Sequence, residues 1–119
     1  MWTRLDDQEL LAKYRSGFSP GRPAPQAIVE LLSALARESF APKVWAVTTH
    51  NVLRLTTAPS YTVEEEHPAV WVGARNDSFV VSFAKPGASQ TSDDTPCGQD
   101  ALLITVARFI NDRLLRSRA

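Results

Sequence analysis

The densest group of side chains able to do chemistry is Glu64-Glu65-Glu66-His67, and with His50 it offers carboxylates and imidazoles. A metal centre needs three or four such ligands converging at about 2 Å. Consecutive glutamates in a loop point apart, and neither HxH nor HExxH spacing occurs in the chain. The run therefore reads as a solvated acidic loop. Cys97 is the single cysteine, which excludes an intramolecular disulfide and a Cys-rich zinc site. It could pair with a histidine as a nucleophile, since a place near the start of the last helix would favour a thiolate. No cysteine-enzyme signature surrounds it, and a lone cysteine more often packs as a small apolar residue. The glycines of GFSPG and KPGAS and the serines of ASQTS match neither a phosphate loop nor a nucleophile elbow, and turn chemistry explains them. No catalytic residue, metal site or cofactor is expected.

The totals narrow the partners. Thirteen basic and 13 acidic residues give a net charge of +0, so overall charge offers no electrostatic footprint for nucleic acid. The basic tip RLLRSRA, with Arg113, Arg116 and Arg118, complements the dipole of a helix C-terminus. With 119 residues, 44% of them hydrophobic, the chain fits one domain with a core that needs no staple. The division expected is an N-terminal helix and Pro-rich connector over 1–24 and a core over 25–119. Acids stand near the N-terminus where a signal peptide would want bases and an apolar run, and no apolar stretch approaches the ~20 residues of a membrane span. A cytoplasmic protein is expected. Arginine outnumbers lysine and alanine is common, the usage of a GC-rich bacterial genome.

The elements that would position any site follow from periodicity. RLDDQELLAKYRSGF reads as a short helix with Asp6 as cap, Glu9 completing a capping box, Leu5 and Leu10 as a staple, and Gly17 as a stop. SPGRPAP is a connector that its prolines keep extended. In PQAIVELLSALARESF, Ile28, Leu31, Leu32 and Leu35 make one apolar helical stripe, and Pro42 prevents continuation. KVWAVTTHNVLRLTT reads as a hairpin. A three-residue turn at Thr49-His50-Asn51 pairs Val47 with Leu53 and Trp45 with Leu55, and is preferred because it sorts one apolar face from one Thr/Arg face. A two-residue turn at His50-Asn51 would instead turn Trp45 and Val47 away from Leu53 and Leu55. A second hairpin turns at Asn76-Asp77 and pairs Ala74 with Phe79, Val72 with Val81 and Val70 with Phe83. Residues 85–100 read as a polar loop, with Thr95-Pro96 opening the last helix. That helix carries Leu103, Val106, Ile110 and Leu114 on one stripe, flanked by Leu102 and Phe109.

The fold class expected is α+β: a two-layer sandwich in which an antiparallel four-stranded sheet of two hairpins packs against two amphipathic helices, with an extra short N-terminal helix. The helices should cover Trp45, Val47, Leu53, Leu55, Val70, Val72, Phe79, Val81 and Phe83. The other face then holds Thr48, Val52, Arg54 and Thr56 from one hairpin and Trp71, Arg75, Val80 and Ser82 from the other. Trp and Arg dominate binding hot spots, which makes Trp71, Arg54, Arg75 and Val80 the candidate binding residues. The cover expected for Trp71 is the first helix, through Leu10, Leu11 and Tyr14; the rival is another chain. The functional expectation is a small soluble bacterial protein that binds another macromolecule or itself, as an adaptor, chaperone or immunity-type protein. The alternative is a small-ligand or enzymatic domain with a pocket near the 85–100 loop.

Overall fold

The computed structural model describes residues 3–16, 25–49, 52–57, 68–75, 78–85 and 91–115, with Arg15, Ser16, Thr49 and Arg75 placed by their backbone. The architecture is α+β. Six antiparallel strands form one sheet in sequence order: β1 (Thr3–Arg4), β2 (Trp45–Thr49), β3 (Val52–Thr56), β4 (Ala69–Arg75), β5 (Ser78–Ala84) and β6 (Ser92–Cys97). Three helices are α1 (Leu10–Ser16), α2 (Gln26–Leu35) and α3 (Gln99–Phe109), the last running into a π-turn at Ile110–Leu114. Their buried residues join Leu53, Leu55, Val70, Val72, Phe79 and Val81 in a single cluster, so the helices share one side of the sheet. Among the described residues no helix is long and apolar enough to cross a membrane.

Two strands stand where other structure was expected, which raises the count from four to six. At the N-terminus β1 pairs Thr3 with Ala46 and Arg4 with Trp45. The acids there act differently from the expected capping box. Asp6 pairs with the Arg4 guanidinium, while the Asp7 carboxylate accepts the Glu9 amide at 2.8 Å just ahead of α1. At the other edge, β6 replaces most of the expected loop, and Pro96 lies within the strand opposite Val80. Proline is tolerated there because an edge strand need not donate outward. The last helix accordingly starts later, with Gly98 rather than Thr95 at its N-cap.

The first hairpin takes the tighter register. Thr49 pairs with Val52, leaving two residues between them, so Ala46 meets Leu55, Thr48 meets Leu53 and Val47 meets Arg54. Trp45 and Val47 thus lie on the face away from the helices, and Thr48 moves to the helix side. Size alone would send Trp45 and Val47 to the core, but Ala46 is apolar too, and Ala46 and Val44 are both fully buried in the cluster. The second hairpin has the expected register, Val70 with Phe83, Val72 with Val81 and Ala74 with Phe79.

The helix α2 buries Ile28, Leu31, Leu32 and Leu35 as expected, with Val29 beside them, and Pro42 sits in a 3-10 turn at Ala41–Lys43. Along α3 the buried stripe is Leu102, Val106, Ile110 and Leu114, with Leu103 only partly covered. Steps of four residues drift about 40° each around an α-helix. The wider turn closed by the Leu115 amide on the Ile110 carbonyl at 2.8 Å takes back part of that drift, which keeps Leu114 in the core.

The helix α1 does not cover Trp71. Leu10 and Tyr14 are buried in the main cluster with Leu5, and α1 packs on α2. Three apolar groups docked together stabilise a seven-residue helix that would not hold alone.

Candidate functional site

The sheet face turned from the helices carries the candidate residues. The central row runs Val47, Arg54, Trp71 and Ser82 across β2 to β5. The row on one side is Arg4, Trp45, Thr56, Ala69 and Ala84. The row on the other is Val52, Gly73, Val80 and Pro96. Arg75 is placed on this face by its pairing with Ser78. So Trp71, Arg54, Arg75 and Val80 do share one face. Sequence reasoning left out Arg4, Trp45 and Val47, which the first hairpin's tighter register and the β1 pairing supply.

The face grades from covered to open. Val47, Thr56, Ala69, Ser82 and Ala84 are buried, and the Thr56 hydroxyl donates to the Pro68 carbonyl at 2.9 Å. Trp45, Val52, Arg54, Trp71, Gly73 and Val80 are half-buried, and Pro96 is exposed. Arg54 and Trp71 are direct cross-strand partners, and the guanidinium lies 4.2 Å from the centre of the indole. Arg4 sits 5.9 Å from the centre of Trp45. The indole Nε1 of Trp71 is buried with no hydrogen-bond acceptor among the described residues. Gly73 leaves a notch beside it: a Cβ built there would meet nothing nearer than the Val80 carbonyl oxygen at 4.0 Å.

A second concavity lies near the expected loop. A cleft of about 370 Å³ opens between β6 and the C-terminal helix, lined by Asp93, Asp94, Thr95, Arg108, Phe109, Asp112 and Arg113. Here β6 slips register against β5, and Asp93 takes a left-handed backbone, φ 58°. Its carboxylate meets Arg113 at 2.7 Å, while Thr91 donates to Asp94 at 3.1 Å. Both members of the ion pair are about half exposed, so solvent weakens it.

Among the described residues no three His, Cys, Asp or Glu side chains converge as metal ligands. Glu64, Glu65, Glu66, His67 and His50 lie outside the described residues, as do both hairpin-turn pairs, the connector 19–24, Gly17, Arg116 and Arg118. Cys97 ends β6 opposite Phe79, partly buried against the core. The chain matches no protein-family model, no curated protein and no solved structure with which it was compared.

Proposed function

We propose that this chain is a small bacterial, cytoplasmic protein that acts by binding another macromolecule through the sheet face centred on Trp71 and Arg54. The observation that carries this reading is Trp71 itself. It stands on the face opposite all three helices, partly buried, braced by Arg54, with an indole N–H that finds no acceptor among the described residues. A rigid, braced aromatic beside an arginine is the usual anchor of a binding hot spot. Val80 and Val52 extend the same surface, and the backbone pairing puts position 75 on that face.

The test is affinity capture from the source cell with the wild-type chain and with Trp71→Ala, each first shown to be folded. Partners retained by the wild type and lost with Trp71→Ala are expected. Equal capture by both chains, or none by either, would refute the reading. A small-ligand reading attaches to the Asp93–Arg113 cleft, because a β-bulge and a π-turn are both enriched at functional sites. A thermal-shift screen of metals and metabolites tests it, and a shift abolished by Arg113→Ala is its expected outcome.

A further inference from the structure

We draw no further inference here: the strongest candidate, the cleft between β6 and the C-terminal helix lined by Asp94, Arg108, Phe109 and Asp112, rests on exposed charged side chains alone, and nothing in the structure shows what would occupy it.

Discussion

The Arg54–Trp71 pair gives the sharpest check on the sheet. The two residues are direct cross-strand neighbours with 4.2 Å between guanidinium and ring centre, and both are half-buried. Cation–π pairs contribute about 0.5–1 kcal/mol when exposed and about 2 when desolvated. Partial burial sets the expected coupling near 1–1.5 kcal/mol. The Arg4–Trp45 pair supplies an internal control. It is longer, 5.9 Å, its arginine is exposed on a two-residue edge strand, and that arginine is shared with Asp6. Its coupling should stay under about 0.5 kcal/mol. The assay is a double-mutant cycle by urea unfolding, with Arg54→Met, which keeps the aliphatic stem, Trp71→Leu, and both together. A matching cycle uses Arg4→Met and Trp45→Leu. A domain of this size has about 5–15 kcal/mol in total, so the single Arg54→Met change should also lower Tm by a few degrees, on the order of 4 °C. Coupling at Arg54–Trp71 within about 0.3 kcal/mol of zero, or smaller than at Arg4–Trp45, would refute the reasoning.

Two further outcomes test other parts of the molecule. Burial pushes the Tyr14 phenol pKa up, so the folded state keeps its proton while the unfolded state ionises near pH ~10; stability should be unaffected by this group below that pH and fall as pH rises through it, by up to about 1.4 kcal/mol per unit. Tyr14→Phe should remove that part of the alkaline slope in urea unfolding, and an unchanged slope would contradict the burial of this side chain. At Asp93 the left-handed backbone makes Asp93→Asn cost under about 1 kcal/mol, the loss of a half-exposed ion pair, whereas Asp93→Val adds about 1–2 kcal/mol of backbone strain. Equal melting temperatures for the two variants would show that the strain is absent.

How legible the fold was depended on how strongly each segment's pattern pointed one way. The second hairpin was legible because slipping it by one residue would expose Val70, Val72, Phe79, Val81 and Phe83 together. The helix α2 was legible because four apolar residues keep helical spacing. The first hairpin was not, since in WAVTT both alternating sets begin with apolar residues and the choice falls to packing. SDDTPC looked like a loop because Asp and Pro resist strands, yet at an edge a bulge and a proline are compatible with pairing. The candidate site was half legible: the second hairpin put Trp71 on the outer face, while Trp45 and Val47 were assigned to the wrong side.

The sequence by itself determined the α+β class, the amphipathic helix α2, the pairing of β4 with β5, and the outward face of Trp71. These rest on local periodicity, which a single chain segment states in full. Tertiary structure decided what local patterns leave degenerate. It added edge strands at Thr3–Arg4 and Ser92–Cys97, whose pairing partners are distant or weakly patterned. It also turned Ala46 rather than Trp45 toward the helices, where Ala46 and Val44 are fully buried beside the β1 pairing. And it docked α1 on α2 instead of on Trp71, since Leu5, Leu10 and Tyr14 bury together against the main core. That last choice leaves the braced Trp71 face without a helix among the described residues.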